Sequence, residues 1–424
     1  MSKELVVILD GRETGRVTHE NRGRLSFTYD EQWRTAADTY PLSLSMPLAL
    51  TEHGNAKIDP YLWGLLPDNA VVLDGWAQRY HVSARNAFAL IASVGEDCAG
   101  AVQFIRPERV EPMRAETAPS IDWLDEAGIA ERLRALRQDH AAWRIPRDTG
   151  QFSLAGAQPK TAFLLQDGRW GVPSGRVPTT HIFKPPSGDF DGHVENEHFC
   201  LELGRTLGIP VADSRIMRFR DEIAFVTERY DRIRTRTGLR RVHQEDICQA
   251  LGIYPTRKYE NEGGPGILDI AELLRTYSTR ASEDVRTLID AIAYNWIIAG
   301  TDAHGKNYSL LIGAVQVRLA PLYDIASVLP YREINIEAVK LSMKLGGEYR
   351  LRNIHKKHWG KLAEELRIHP EVLIGRVDDL ARQIADHVPE MKHRMTEEGV
   401  HHPVISRLAD AVVARAAHCR RLLQ

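Results

Sequence analysis

The apolar pattern of this chain changes near residue 240, and that change restricts the possible folds more than any other feature. Before it, short runs rich in Val, Ile and Phe are bounded by turn signals such as Asp10-Gly11 and Arg22-Gly23, which predicts strands. After it, five segments carry apolar residues at spacings of three and four, which predicts helices. These segments are 268–277, 284–299, 355–367, 370–387 and 403–423. We therefore expect an α+β protein with a β-rich beginning and a mainly helical C-terminal portion.

Length and local composition divide the chain further. A chain of 424 residues is long enough for two or three domains. Residues 107–120 are rich in Pro and charge, which predicts an exposed connection, and the spacing from Ile121 to Trp143 predicts a helix that ends before Pro146. The predicted parts are a β-rich domain at 1–112, a linker and helix at 113–145, an α/β region at 146–240 and a helical region at 241–424.

Composition excludes several classes of protein. Lys and Arg total 55 against 57 Asp and Glu, and 43% of the residues are hydrophobic, so disordered, collagen-like and coiled-coil chains are ruled out. The four cysteines are far apart, which argues against a disulfide framework or a zinc knuckle. The longest apolar stretch, Leu288 to Ala299, is interrupted by Asp290 and Asn295 and is too short to span a bilayer. We expect a cytoplasmic protein.

The stretch from Asn295 to Ile312 is the most informative part of the chain. Apolar residues from Val285 to Trp296 follow helical spacing and predict a buried helix that Gly300 caps. Two short strands are predicted next, at 308–312 and 315–319. Three polar side chains should emerge from this helix-to-hairpin region: Asp302, Asn307 and Asp324.

Those three residue types suit phosphoryl transfer, which needs Mg²⁺ held by oxygen ligands and a carboxylate that orients the attacking hydroxyl. Asp302 and Asn307 have the D-x-x-x-x-N spacing of a protein-kinase catalytic loop, and Asp324 is placed as a later metal-binding carboxylate. The same spacing is also typical of a polar loop with a capping role, so the residues alone leave both interpretations open.

Two other chemistries fail on spacing and context. Gly300 to Lys306 copies the start of a P-loop, but Asn307 replaces the required Ser or Thr, and a helix precedes the segment where a strand should. The run from His193 to His198 has neither of the spacings that zinc hydrolases use.

Earlier segments offer groups that could bind a nucleotide. Lys184 ends a strand-like run, and Glu195 and Glu197 on the next helix could hold it, although a lone strand lysine is usually a solvated edge residue. Gly156 lies between small residues before a strand, which suits a phosphate-binding loop or a tight hairpin turn. Ser153 begins this segment. Two residues after a predicted strand are placed to meet a nucleobase: Glu228 and Tyr230.

At this point the chain resembles the HipA toxins, serine/threonine kinases of bacterial HipBA-type toxin–antitoxin modules. The resemblance spans nearly the whole chain and follows one order of motifs: FSLAGAQPKTA, THIFKP, ENEHFCL, ERYDR, QEDICQALG, KYENEGGPG, GTDAHGKNYS and PLYDIAS. It implies an atypical two-lobed kinase-like fold, with a small β-rich N-terminal domain and a mainly helical C-terminal lobe, that uses ATP and Mg²⁺.

The resemblance also implies roles for particular residues. Asp302 would be the catalytic residue, Asn307 and Asp324 the magnesium ligands, and Ser153 the serine that the enzyme phosphorylates in itself. ATP would be bound by Ala155, Gly156, Ala157, Gln158, Pro159, Lys160, Lys184, Glu228, Arg229, Tyr230, His304, Gly305, Lys306, Asn307, Tyr323 and Asp324. Pro185 and Pro186 depart from the family pattern and put the strand geometry near Lys184 in doubt.

The implied function is that of a type II toxin whose kinase targets an aminoacyl-tRNA synthetase and so arrests translation. The implied partner is HipB, a helix-turn-helix antitoxin, with which the toxin represses its own operon. A basic run without acids could touch operator DNA or be a solvated helix face: Arg350, Arg352, Lys356, Lys357 and Lys361. Two alternatives remain, a non-catalytic corepressor that acts through HipB and DNA, and a kinase for a small molecule.

Overall fold

The computed structural model describes residues 3–20, 23–115, 120–143, 152–174, 177–186, 188, 190–236 and 238–424. Arg22, Pro146 and the predicted boundary at 145 lie outside these residues. Two compact units are present. The first comprises Met1–Pro185, Met217–Thr256 and Leu310–Val317, and the second comprises Pro186–Ile216, Arg257–Ser309 and Arg318–Gln424. The predicted domain boundaries at 112, 145 and 240 stay predictions.

The described residues form strands and helices in the following order along the chain. The strands are β1 Glu4–Leu9, β2 Arg12–His19, β3 Leu25–Tyr29, β4 Glu52–Gly54, β5 Gln103–Ile105, β6 Ile121–Leu124, β7 Thr161–Gln166, β8 Arg169–Pro173, β9 His181–Lys184, β10 Ser214–Phe219, β11 Glu222–Glu228, β12 Arg232–Thr235, β13 Gly238–Arg241, β14 His243–Asp246, β15 Ser309–Ile312, β16 Val317–Leu319, β17 Lys340–Leu345 and β18 Glu348–Arg350. The α-helices are α1 Glu31–Thr35, α2 Asn55–Gly64, α3 Ala70–Tyr80, α4 Ala87–Val94, α5 Pro107–Ala115, α6 Glu126–Gln138, α7 His193–Thr206, α8 Ile247–Leu251, α9 Ile267–Tyr277, α10 Ala281–Ile298, α11 Lys356–Glu365, α12 Pro370–Glu397 and α13 Pro403–Leu422.

The first unit begins with an antiparallel sheet of order β4-β3-β2-β1-β5. Asp10 and Gly11 join β1 to β2 with positive φ angles of 49° and 76°, the geometry that favours Asp-Gly in a two-residue hairpin. The β-rich beginning predicted from the sequence is thus confirmed.

The connection predicted at 107–120 begins with a helix that the sequence analysis did not predict. Pro107–Ala115 forms α5, and Val110 and Met113 are buried with Val6 and Ile8 of the sheet. Pro107 is compatible with the first turn of the helix, whereas Pro112 lies inside it. Two apolar residues three apart are enough to bury one face.

A second sheet in the first unit has the order β10-β11-β9-β7-β8-β6, with β10 entering this unit at Met217. Helix α6 covers it, packing Ile129 and Leu133 against Phe163 and Phe183. The helix predicted from Ile121 is too long, because Ile121–Leu124 pairs with β8 as an edge strand. Asp125 then caps α6 by accepting a hydrogen bond from the Gly128 N–H at 2.7 Å.

The second unit is mainly helical, as predicted. Helices α9 to α13 match the five predicted segments, and α12 continues through Pro389 to Glu397, ten residues beyond the predicted end. Across the ranges that the structure describes, none of the helices combines the length and the apolar character needed to cross a membrane.

The end of α10 differs from the prediction at one residue. Ala299, with φ of 55°, takes the left-handed position predicted for Gly300. Gly300 lies close to Asn295: a Cβ atom there would lie 2.2 Å from Oδ1 of Asn295, so a larger residue would force that side chain to move. The close approach lets the chain turn directly from the buried helix into the loop that carries Asp302.

Candidate active site

The loop after α10 holds Asp302 at the surface of the second unit. Its side chain is 69% exposed, and Oδ1 accepts a hydrogen bond from the Tyr259 hydroxyl at 2.7 Å. Its main-chain oxygen accepts from the His304 N–H at 2.8 Å and from Nδ2 of Asn307 at 2.7 Å. The loop therefore closes on its own backbone while the carboxylate faces solvent.

Asn307 is buried and ends a short 3₁₀ helix, Gly305–Asn307. Because its Nδ2 atom donates to the Asp302 carbonyl, Oδ1 is left as the atom that could bind a metal. An amide oxygen is a suitable Mg²⁺ ligand, so this orientation fits the predicted role.

Asp324 lies in a loop that is anchored on both sides. Before it, Leu322 forms a β-bridge with Val211. After it, Ser327 and Asn196 of α7 exchange two hydrogen bonds, Ser327 N–H to Oδ1 at 3.0 Å and Nδ2 to the Ser327 carbonyl at 2.7 Å. Asp324 itself has φ of 58°, a conformation that costs a non-glycine residue about 1–3 kcal/mol and recurs at functional sites.

Tyr323 connects the two candidate metal ligands. Its hydroxyl donates to the Lys306 carbonyl at 2.7 Å and accepts from the Ser309 hydroxyl at 2.6 Å. Lys306 precedes Asn307, and Tyr323 precedes Asp324. The structure therefore joins the Asp302–Asn307 loop to the Asp324 loop, as the sequence predicts.

His304, Gly305 and Lys306 belong to this same loop. The His304 ring is buried, meets the Tyr259 ring edge-on at 5.0 Å between centroids, and has Nε2 4.0 Å from Oδ2 of Asp302. The Gly305 N–H donates to the Lys258 carbonyl at 3.2 Å. The Lys306 side chain is buried.

A magnesium site here would need a mixed set of donors. Among the described residues, no group of three or more His, Cys, Asp and Glu side chains could hold a metal ion. Asn307 and Asp324 would supply one amide and one carboxylate oxygen. Mg²⁺ commonly takes one or two protein ligands and completes its shell with phosphate and water oxygens, so this donor set fits.

Lys184 lies at the end of β9 in the first unit. It pairs with Phe225 of β11, and its Nζ atom is 5.3 Å from the centroid of the Phe225 ring. The side chain is 9% exposed, which is not the solvated edge lysine of the alternative interpretation. Glu195 and Glu197 are buried on α7 of the second unit, and their pairing with Lys184 stays a prediction.

The segment Ala155–Lys160 docks onto residues 67–69 of the same unit. Gly156, with φ of 105°, forms a parallel bridge with Pro67, and its carbonyl accepts from the Asp68 N–H at 3.1 Å. Lys160 Nζ donates to the Ala155 carbonyl at 2.7 Å. The segment is thus a docked loop, and the hairpin interpretation is wrong.

Ser153 is fully buried just before this loop. Its hydroxyl donates to the Leu65 carbonyl at 2.7 Å, and its N–H donates to the Asp97 carbonyl at 3.0 Å. A serine held in this way cannot receive a phosphoryl group until the segment leaves its position.

The two predicted nucleobase residues and Arg229 between them have different environments. Glu228 is exposed at the end of β11, and the Tyr230 hydroxyl donates to the side chain of Gln244. The guanidinium of Arg229 is 2% exposed and donates to Asp231 at 3.0 Å and to Thr179 at 2.9 Å. The predicted ATP contact of Arg229 stays a prediction.

Arg229 belongs to a buried network centred on Asp97, which we did not single out from the sequence. Burial alone would raise the pKa of Asp97, but the guanidinium groups of Arg232, Arg229 and Arg241 hold it well below its usual range. Asp97 lies in an ordinary GEDCAG stretch, and only the distant arginines reveal its role.

Comparison with known proteins supports the resemblance to the HipA family. The HipA N-terminal domain model matches residues 5–105, and the HipA-like C-terminal domain model matches residues 152–390. A Sinorhizobium fredii protein named "Putative kinase Y4mE" is 37% identical over 414 residues, covering 96% of each chain. The serine/threonine-protein kinase toxin HipA of Shewanella oneidensis is 29% identical over 86% of this chain and 83% of its own.

A solved structure confirms the fold. The Shewanella oneidensis HipA structure, determined with HipB and operator DNA, superposes with a TM-score of 0.85 at 23% identity, covering 99% of this chain and 98% of that one. The fold is thus the mixed α and β fold of a HipA protein. By the family models and the full-length relatives, the chain belongs to the HipA-like family of serine/threonine kinase toxins.

Proposed function

We propose that this protein is an ATP- and Mg²⁺-dependent serine/threonine protein kinase and the toxin of a type II toxin–antitoxin module. The observation that carries the proposal is the exposed carboxylate of Asp302. The main-chain carbonyl of the same residue accepts a hydrogen bond from the Asn307 side-chain amide. Tyr323 ties that loop to the one that carries Asp324. An open carboxylate beside two oxygen ligands is the minimum that phosphoryl transfer requires.

Each residue has a role that follows from its chemistry. Asp302 would orient the acceptor hydroxyl and take its proton, while Asn307 and Asp324 would hold Mg²⁺. When bound, the metal would neutralise charge that develops on the transferred phosphoryl group. Fixed loops suit this task, because kinases work mainly by positioning and electrostatic stabilisation.

The first-unit residues would bind the rest of ATP. Lys184 would meet the α and β phosphates, and the loop Ala155–Lys160 would cover the phosphates with its backbone N–H groups. Glu228 and Tyr230 would contact the adenine through main-chain groups and the aromatic ring of Tyr230. His304, Gly305, Lys306 and Tyr323 would also line the nucleotide pocket.

We propose that autophosphorylation on Ser153 turns the kinase off. The buried serine hydroxyl has a carbonyl partner at 2.7 Å, and a dianionic phosphate cannot replace that hydroxyl without expelling the segment. The same charge beside a phosphate-binding loop would repel ATP. Both effects favour an inactive phosphorylated form.

The partners proposed are a HipB-type antitoxin and, through the complex, operator DNA. The Shewanella oneidensis protein with the same fold was solved with HipB and its operator DNA. In this chain the basic run is exposed on the second unit, so it is available to phosphates: Arg350, Arg352, Lys356, Lys357 and Lys361. The family resemblance suggests an aminoacyl-tRNA synthetase as the protein substrate. The kinase would act in the cytoplasm.

Label transfer from [γ-³²P]ATP to the full-length protein tests the kinase proposal. We expect Asp302→Asn and Asp324→Asn each to lower the rate by at least about a thousandfold, because each removes a carboxylate whose proposed role no other residue fills. The matched control is Asp410→Asn, an aspartate of the second unit whose side chain is 74% exposed and should be dispensable.

Two further measurements accompany the label-transfer experiment. Circular dichroism should show that both variants keep the fold. Mass spectrometry of the labelled wild type should locate phosphate on Ser153. Wild-type rates in either variant would refute the roles assigned to Asp302 and Asp324. No ATP turnover by the wild type would refute the kinase proposal and favour a non-catalytic corepressor.

A further inference from the structure

The segment from Lys258 to Gly266 has no role in the chemistry proposed above, yet it is folded tightly against the Asp302 loop. Gly263 has φ of 88°, and the Gly264 N–H donates to the Tyr259 carbonyl at 2.9 Å. A Cβ atom on Gly264 would lie 2.1 Å from the Arg257 carbonyl oxygen. Only glycine fits so close to the backbone, and the resulting turn fixes where Tyr259 lies.

A second anchor holds the same turn from its other side. Glu260 accepts a hydrogen bond from the Lys344 N–H at 2.6 Å and pairs with the Lys344 ammonium at 3.1 Å. Lys344 belongs to β17 of the same unit. Tyr259 is therefore placed by a turn that is closed on itself and bound to a strand.

Tyr259 meets the Asp302 loop through three kinds of contact. Its hydroxyl donates to Oδ1 of Asp302 at 2.7 Å. Its ring meets the buried His304 ring edge-on, at an interplanar angle of 84°. The carbonyl of the preceding Lys258 accepts from the Gly305 N–H at 3.2 Å. Ring, main chain and hydroxyl all bind one short loop.

This arrangement adds little to folding stability but restricts the carboxylate. The Asp302 side chain is 69% exposed, so the hydrogen bond adds little net stability, because water would otherwise bond to the same groups. An exposed aspartate without such a partner samples several rotamers. With Oδ1 held by Tyr259, the remaining oxygen, Oδ2, has a defined position.

We propose that Tyr259 is a positioning residue for phosphoryl transfer: its hydroxyl holds Oδ1 of Asp302 so that Oδ2 receives the acceptor hydroxyl. The inference rests on the proposed kinase function. Misplacement of a reacting group by about 1 Å can cost a hundredfold in rate, so a rigid ring is an effective means of placing the carboxylate.

The test compares Tyr259→Phe with wild type in the full-length protein. The initial rate of label incorporation per enzyme molecule, taken before Ser153 is appreciably phosphorylated, is measured against ATP concentration to give an apparent kcat and an apparent KM for ATP. We expect kcat to fall about ten- to a hundredfold while KM for ATP stays within about twofold, because only the carboxylate loses its partner. The unfolding temperature should be close to that of wild type.

Tyr254→Phe is the matched control. The Tyr254 hydroxyl donates to the Asp59 carboxylate at 2.8 Å, so the variant removes the same kind of bond without altering the one to Asp302. It should keep the wild-type kcat. In an Asp302→Asn background, Tyr259→Phe should change the residual rate by less than about twofold, because the bond partner has already been altered.

Each outcome decides the inference. A Tyr259→Phe protein with wild-type kcat would overturn it while leaving the kinase proposal intact. A higher kcat would overturn it in favour of a hydroxyl that blocks the acceptor position. An equal loss of rate in the Asp302→Asn background would show a structural role. An inactive wild type would overturn the kinase proposal and this inference together.

Discussion

Asp97 in the first unit and Asp302 in the second are both held by side chains distant in sequence, but their environments are opposite. Asp97 is 7% exposed and bonded to Arg229, Arg232 and Arg241. Asp302 is 69% exposed and has the neutral Tyr259 hydroxyl on one oxygen. The Asp97 carboxylate is bonded to buried arginines and serves the fold, whereas the exposed Asp302 carboxylate can bind another molecule through Oδ2.

The difference shows why residue type alone does not identify a functional site. A buried carboxylate surrounded by guanidinium groups compensates their charge, so its removal leaves uncompensated cations in the interior. An exposed carboxylate with one neutral donor contributes little to the free energy of unfolding, so its removal changes stability little. The conformation of such a carboxylate matters chiefly for the molecule that it binds.

The largest effect that this comparison predicts is on stability. Asp97→Asn should lower the free energy of unfolding by about 3–5 kcal/mol, because Arg229 and Arg232 stay buried with less compensating charge. Asp302→Asn should lower it by less than about 1 kcal/mol. Urea unfolding followed by circular dichroism measures both, and equal losses would break the comparison.

A smaller effect sharpens the comparison with a third carboxylate, Glu245, which is buried in the first unit. Its Oε1 atom accepts from the Leu44 N–H at 2.8 Å, and burial raises its pKa to about 8 from an ordinary value of 4.5. The folded state therefore keeps a proton that the unfolded state loses above pH 4.5. The stability from this group is complete below that pH and is lost as pH rises towards 8.

Glu245→Gln should remove this pH dependence, because the amide does not ionise. We expect the difference in unfolding free energy between variant and wild type to move in favour of the variant by roughly 3 kcal/mol from pH 5 to pH 8. Asp97 should act in the opposite sense, since its lowered pKa contributes stability that is lost as pH falls below about 4. A difference that stays constant with pH would contradict the account of Glu245.

Periodicity predicted the fold well where elements are long or fully buried. The apolar spacing of α10 and the β-branched run of β9 were enough to place both elements. Edge elements were harder, because Ile121–Leu124 has apolar ends that suit a helix as well as a strand, and only pairing with β8 decides. Helix α5 was missed because Pro is favoured only at the first position of a helix, and the sequence did not show that a helix begins at Pro107.

The candidate site was predicted in part for the same physical reasons. The positions of Asp302, Asn307 and Asp324 follow from local order along the chain, so the loops could be inferred. Arg229 was predicted to bind ATP, and nothing local shows that its guanidinium is buried against Asp97. Tyr259 was not singled out, because its partner lies 43 residues away.

A crystal structure of the full-length protein with Mg²⁺ and a non-hydrolysable ATP analogue tests the central claim most directly. We predict an ion about 2.0–2.1 Å from Oδ1 of Asn307 and a carboxylate oxygen of Asp324, with Lys184 on the phosphates and Asp302 facing the γ-phosphate. A nucleotide bound elsewhere, or an ion that touches neither Asn307 nor Asp324, would contradict the account.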